Sequence, residues 1–243
     1  MFSVLYGAVC YCAFLGTILY AIGFAGNLFV PKTIDGEPQV ELLDAILTNI
    51  SLLLLFGLQH SIMARPAFKS WWTTIIPAHL ERSTYVLLSS VCLALMMWHW
   101  EPVGGIIWSV KSEAAKNVLM VVYLFGWMVA FASTFLINHF DLFGLRQVWL
   151  YASGKPYTHL PFGTPLLYKI VRHPLYFGFL IAFWATPVMT VTHLLFAILT
   201  TCYMLIAIPL EEKDLVEGFG ETYQAYKKWV PMIVPFTKRK VTK

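Results

Sequence analysis

Between Leu5 and Val30 the chain carries no Asp, Glu, Lys or Arg, and the same holds for Ala45–Met63, Ser83–Trp100, Asn117–Ile137 and Leu175–Leu210. Each of the first four runs is close to the ~20 residues a helix needs to cross ~30 Å of hydrocarbon, where every backbone amide must find its partner within the segment. Only 12% of the residues are charged and 58% are apolar, whereas a soluble domain carries about 25% charged residues. The expected fold class is all-α: a polytopic integral membrane helical bundle. No basic stretch precedes the first run, and it outlasts the apolar core of a secretory signal, so it reads as a retained span.

The last run is too long for one span. Its 36 residues would make a straight helix of roughly 54 Å. Thr186-Pro187 supplies a break, because proline removes a donor and disfavours helix at the residue before it. This predicts a helical hairpin with its turn around Pro187–His193 and a first arm, Leu175–Thr186, that is short for a full crossing. Five to six membrane helices result, the last two a hairpin, all in a single membrane domain over residues 1–243.

With six passes, one side of the membrane receives Arg65, Lys69, Arg82, Arg146, Lys155, Lys169, Arg172, Lys213, Lys227, Lys228, Lys238, Arg239, Lys240 and Lys243, and the other only Lys32, Lys111 and Lys116. That asymmetry places the basic side, with both termini, in the cytoplasm. The net charge of +4 then reflects topology and attraction to anionic lipid, and calls for no nucleic acid. Phosphate-cradling glycine loops are absent. Cys10, Cys12, Cys92 and Cys202 all fall in apolar runs, which predicts buried free thiols rather than a metal site or disulfides.

Polar chemistry gathers in the second half, on the basic side. In "KIVRHPLYFGF", Pro174 suits the first position of a helix. Arg172 and His173 offer donors to an anionic group at the positive helix end, and Tyr176 offers an aromatic face; the plain alternative is a pair of interfacial anchors. Glu211 and Glu212 follow a long apolar run just past Pro209, where a helix end disfavours anions. The hairpin returns them beside Arg172–Tyr176, and a cationic rim facing a carboxylate rim suits a zwitterionic ligand; the plain alternative is a headgroup-level pair balanced by lysines. Beyond them, Leu215, Phe219, Tyr223, Tyr226 and Val230 recur on one helical face. Gly218 and Gly220 interrupt that face, so two cytoplasmic interfacial helices fit as well as one. Asp44, near the start of the second span, stands as a buried charge without an evident partner.

The combination R-H-P-x-Y-x-G, then E-E after a hairpin, then F-G-x-x-Y-x-x-Y, covering about residues 166–236, resembles the C-terminal module of the isoprenylcysteine carboxyl methyltransferase superfamily. The resemblance implies S-adenosylmethionine as cofactor at the cytoplasmic face. It implies contacts from Arg172, His173, Pro174, Tyr176, Glu211 and Glu212, with Tyr223 and Tyr226 lining the site. Two further stretches, "GLQHSIMARPAFK" and "NHFDLFGLRQVW", resemble the bacterial methanethiol S-methyltransferases, a branch related to the NnrU-like membrane proteins, and extend the likeness to about residues 42–236. That branch implies methylation of methanethiol to dimethyl sulfide in a bacterial cytoplasmic membrane, with a small thiol and the lipid bilayer as partners. Residues 1–137 would then form the acceptor-side core, and residues 138–243 the loop, hairpin and cofactor module.

A thiol must lose its proton to become the nucleophile. Ionisable residues near membrane depth are the candidates for that chemistry: His60, His139, Asp141 and Arg146. Arg146 would stabilise the thiolate or hold the cofactor carboxylate. Against these stand simpler readings: His60 bonded to a backbone carbonyl, and Asp141 paired with Arg146. Phe140, Phe143 and Trp149 suggest a small acceptor pocket. Alternatives on related modules are an isoprenylcysteine-type carboxyl methyltransferase, an NADPH-dependent reductase, which would need extra basic residues for the 2′-phosphate that the cluster Lys238–Lys240 only mimics, and a non-catalytic NnrU-like accessory protein.

Overall fold

Every uncharged run becomes helix. The computed structural model describes residues 1–237. In chain order its α-helices are α1 (Phe2–Gly26), α2 (Leu42–Ala64), α3 (Pro66–Trp72), α4 (Ala78–His99), α5 (Glu113–Ile137), α6 (His139–Leu142), α7 (Leu145–Ala152), α8 (Pro174–Trp184), α9 (Val191–Phe219) and α10 (Glu221–Trp229). Helices α1, α2, α4, α5 and α9 are long and apolar enough to cross a membrane, and α8 is a shorter apolar helix of 11 residues. The protein is an integral membrane helical bundle. Lys238, Arg239, Lys240 and Lys243 lie outside the described residues.

Side-chain contacts sort the connections onto two opposite ends of the bundle. At the basic end, Arg65 after α2 donates to the Leu210 carbonyl at 3.0 Å and pairs with Asp214 of α9 at 2.8 Å. Arg82 at the start of α4 donates to the Leu142 carbonyl at 2.8 Å, just beyond α5. At the other end, Lys32 donates to the Trp98 carbonyl at 2.6 Å and Asn49 brackets Glu101 with two backbone hydrogen bonds. Two strands also pair there, antiparallel: β1 (Ile106–Ser109) and β2 (Val188–Thr190).

The hairpin is therefore α8, β2 and α9. Its turn is built partly of strand, and α9 opens at Val191, where the Thr190 hydroxyl accepts from the His193 amide at 2.9 Å. His193, expected in the turn, is buried inside the first turn of α9. The short arm α8 stands against α5 through small residues. A Cβ on Gly178 would come within 2.5 Å of the Ala130 nitrogen and the Gly126 oxygen. A Cβ on Gly126 would come within 2.6 Å of the Ala182 nitrogen. Such contacts are the way helices gain van der Waals packing where lipid removes the hydrophobic drive.

Several sequence expectations change. Pro209 does not end its helix: α9 continues for ten residues past it, so Glu211 and Glu212 lie within the helix and not at its end. The break comes at Gly220, whose φ of 55° favours glycine, and α10 starts there. The stripe from Leu215 to Val230 is accordingly shared by two helices. Asp44 is exposed in the first turn of α2, where the helix dipole favours an acid. Cys10 is buried as expected, but Cys12 and Cys202 are exposed on apolar helices. Phe143 stacks on Phe14 at 3.9 Å, whereas Phe140 and Trp149 are 52% and 65% exposed and line no interior pocket.

Candidate active site

Antiparallel return of the hairpin brings "RHPLY" and "EE" together, as the spacing predicts. The contact is more intimate than two facing rims. Arg172 Nε donates to Glu212 Oε1 at 2.6 Å, His173 Nε2 lies 3.1 Å from the same oxygen, and Lys227 Nζ reaches Glu212 Oε2 at 2.8 Å. Arg172 Nη1 also donates to the Val230 carbonyl at 2.5 Å. The backbone amides of Arg172 and His173 donate to the Pro231 and Met232 carbonyls at 2.9 and 3.1 Å. The cationic rim is thus consumed in a buried knot that ties α8, α9, α10 and the segment after α10. Pro174 is the first residue of α8 and buried beneath it.

Glu211 points elsewhere. Its side chain is 44% exposed against 6% for Glu212. It accepts one hydrogen bond, from the Tyr176 hydroxyl at 3.2 Å, with His173 Nδ1 3.8 Å away. The Tyr85 hydroxyl is 3.0 Å from His60 Nε2, His60 Nδ1 is 3.2 Å from the Ser89 hydroxyl, and Tyr203 is 3.1 Å from the Ser61 hydroxyl. His60, Ser61, Tyr176, Tyr203 and Glu211 are all half-buried. Helices α2, α4, α8 and α9 thus each contribute polar side chains to hydrogen bonds between helices, and His60 bonds side chains instead of a backbone carbonyl.

On the other flank of α9, Phe162, Tyr223 and Tyr226 form an aromatic box, with centroids 5.7, 5.4 and 5.6 Å apart. Burial pushes the Tyr226 phenol up to about 12, with Arg172 opposing and Glu212 adding to the shift. Burial, then the charge of Glu212, raises Tyr223 likewise, so both remain donors at neutral pH. Tyr226 donates to the Tyr168 carbonyl at 2.5 Å, whereas the buried Tyr223 hydroxyl has no partner among the described residues. Burying such a hydroxyl unpaired costs ~1–3 kcal/mol.

The remaining candidates make contacts of their own. Thr134 and Tyr11 hydroxyls hold both ring nitrogens of His139 at 2.7 Å, and Phe135 stacks on its face at 4.1 Å. Burial lowers its pKa, and the two hydroxyls tie α1 and α5 to the α5–α6 corner. Asp141 pairs with Arg146 at 2.8 Å, and Arg146 also donates to the Thr158 carbonyl and hydroxyl at 2.9 and 2.7 Å. Both are committed to holding the loop after α7. Sequence reasoning passed over Phe162, Tyr203 and Tyr85. For Tyr85 a signal existed, since a cation at the membrane end of a span, Arg82, lies three residues before it and shares its helical face.

Comparison with known proteins follows the same lines. The chain is 53% identical over 239 residues to a methanethiol S-methyltransferase of Crocosphaera subtropica, covering 98% of this chain and 94% of that one. It is 48% identical over 237 residues to a methanethiol S-methyltransferase of Mycobacterium tuberculosis, covering 98% and 97%. It is 30% identical over 182 residues to Nurim of Mus musculus, covering 72% and 69%. No family model matches the chain, and no solved structure does.

Proposed function

Because the chain belongs to the methanethiol S-methyltransferase family, we propose that it is a membrane enzyme that methylates methanethiol with S-adenosylmethionine, releasing dimethyl sulfide. The observation that carries the cofactor is the split between the two glutamates: Glu212 is neutralised inside the knot, while Glu211 is 44% exposed, accepts from the Tyr176 hydroxyl and has His173 Nδ1 3.8 Å away. A positively charged sulfonium compound suits that carboxylate and the π faces of Phe162, Tyr223 and Tyr226. The unpartnered Tyr223 hydroxyl suits the acceptor atoms of a nucleoside. When bound, S-adenosylmethionine supplies an electrophilic methyl group.

The chain's own residues do the rest. Arg172, Lys227 and Glu212 fix α10 and the segment after it over the start of α8, holding Tyr176 and Glu211 in register. His60, positioned by Tyr85 and Ser89, takes the proton of the acceptor thiol and passes it to solvent at the basic end, leaving the thiolate as nucleophile. Met63, Val86, Phe68 and Trp72 pack around Tyr85 and keep bulk water from that sulfur, which an in-line displacement requires. His139 acts as a positioning residue at the α5–α6 corner. The basic end faces the cytoplasm, where the donor is available, and methanethiol enters from the bilayer. A carboxyl methyltransferase or reductase reading is favoured by no feature of the relatives described above.

Headspace gas chromatography of purified protein with S-adenosylmethionine and methanethiol tests this. Dimethyl sulfide is expected from the wild type, with a loss of at least ~100-fold in His60→Ala, the scale of general-base removal. An inert wild type, or a fully active His60→Ala, contradicts respectively the reaction and the base.

A further inference from the structure

The chain enters α8 through a short turn, Leu166–Lys169, whose outer face the proposed reaction does not use. The turn is 3-10 helix, in which side chains three residues apart fall on one face. Leu166 therefore shares a face with Lys169, and Leu167 with Ile170 just beyond the turn. Tyr168 is turned inward. Its hydroxyl donates to the Ser133 carbonyl of α5 at 3.4 Å, and its own carbonyl accepts from Tyr226 of α10 at 2.5 Å. On the outer face, Leu166, Leu167 and Ile170 stand against Ala132, Phe135 and Leu136 of α5 and bound an open groove of about 740 Å³. All six lining residues are apolar. Leu166 holds a left-handed φ of 40°, which disfavours a residue with a Cβ, and its side chain is exposed.

The place of the groove decides what fills it. Its α5 wall belongs to the last two turns of a helix long and apolar enough to cross a membrane, so the groove opens where acyl chains meet headgroups. Lys169 stands on the same side of the turn, exposed, with no side-chain hydrogen bond or ion pair among the described residues. An apolar slot beside an unpaired ammonium, at the basic end of the bundle, complements a hydrocarbon chain that carries a negative headgroup. We propose that this groove seats one acyl chain of an anionic phospholipid, with Lys169 holding its phosphate. A zwitterionic lipid fits the slot equally but gains less at Lys169, because its own cation offsets the phosphate. The lipid then grips the outer face of the turn while Tyr226 grips the inner one. Neither the groove nor Lys169 enters the proposed reaction, so the inference stands apart from it.

Native mass spectrometry of the delipidated full chain in detergent, titrated with phosphatidylglycerol or phosphatidylcholine of the same acyl chains, tests this. Wild type is expected to hold one phosphatidylglycerol per chain, about 5-fold tighter than phosphatidylcholine, the weight of one basic residue against an anionic headgroup. Lys169→Gln is expected to bring phosphatidylglycerol down to the phosphatidylcholine level and to leave phosphatidylcholine unchanged. Ala132→Trp fills the groove from an exposed position of α5 and is expected to remove the one-to-one adduct of both lipids. Leu19→Trp adds like bulk at an exposed position of α1 that does not line the groove, and keeps the adduct. Lys169→Gln alters an exposed side chain without bonds, so a folding defect does not confuse it. Undiminished adducts in Ala132→Trp, or equal affinity of wild type for the two lipids, overturn the site and leave only the ordinary lipid coat. A dimer that Ala132→Trp abolishes, in place of the lipid adduct, overturns it in favour of a second copy of the chain.

Discussion

Glu211 and Glu212 are adjacent in sequence, and the turn of about 100° between successive helical residues sends them into different environments. One closes a buried ion knot and the other is half-exposed beside Tyr176. Removing Glu212's charge strands Arg172 and Lys227, so Glu212→Gln is expected to cost roughly 3–5 kcal/mol, as breaking a buried pair does. Glu211→Gln loses one partly exposed hydrogen bond and is expected to fold within ~0.5 kcal/mol of wild type, yet to lose S-adenosylmethionine binding. Thermal melting beside a binding isotherm checks this. Equal melting losses for the two variants would end the division of labour. The sequence announced the pair; it could not say which member is structural, because that depends on which residue of α10 folds back to meet it.

At the level of elements, the α5–α8 contact decides whether the short arm sits at the correct depth. Gly126 and Gly178 oppose each other so closely that an added methyl meets backbone. Gly178→Ala is expected to destabilise by ~1–3 kcal/mol through forced separation. Gly16→Ala is the control: the added methyl meets nothing within 4 Å, and helix propensity favours it by up to ~1 kcal/mol. Melting in one detergent compares them, and a neutral Gly178→Ala would show that α8 is not held by this seam. Pro209 carries the converse lesson. A proline rule placed a helix end there, but α9 runs on, and Arg65 just after α2 bonds the Leu210 carbonyl and Asp214, anchoring the turns beyond it.

For the whole molecule, the sorting of cations gives a sidedness that is directly measurable. In a background whose four native cysteines are replaced by serine, Lys155→Cys is expected to react with an impermeant thiol reagent only when the cytoplasmic face is open. Lys111→Cys is expected to react in intact spheroplasts. The reverse pattern would invert the bundle and detach the site from its cytosolic donor.

The membrane helical class, the hairpin and the meeting of Arg172–Tyr176 with Glu211–Glu212 were determined by the sequence alone. Hydrocarbon tolerates only runs with internally satisfied amides, and a hairpin must bring its two ends to one face. Which charges cancel and which stay free was decided only by tertiary structure. Glu211 and Glu212 look equivalent in the sequence. What separates them is the return of Arg172 and Lys227, from segments far apart in the chain, to Glu212, while Glu211 keeps the Tyr176 hydroxyl and a His173 nitrogen 3.8 Å away. A charged group's chemistry is set by its nearest neighbours in space, and no spacing along the sequence encodes those.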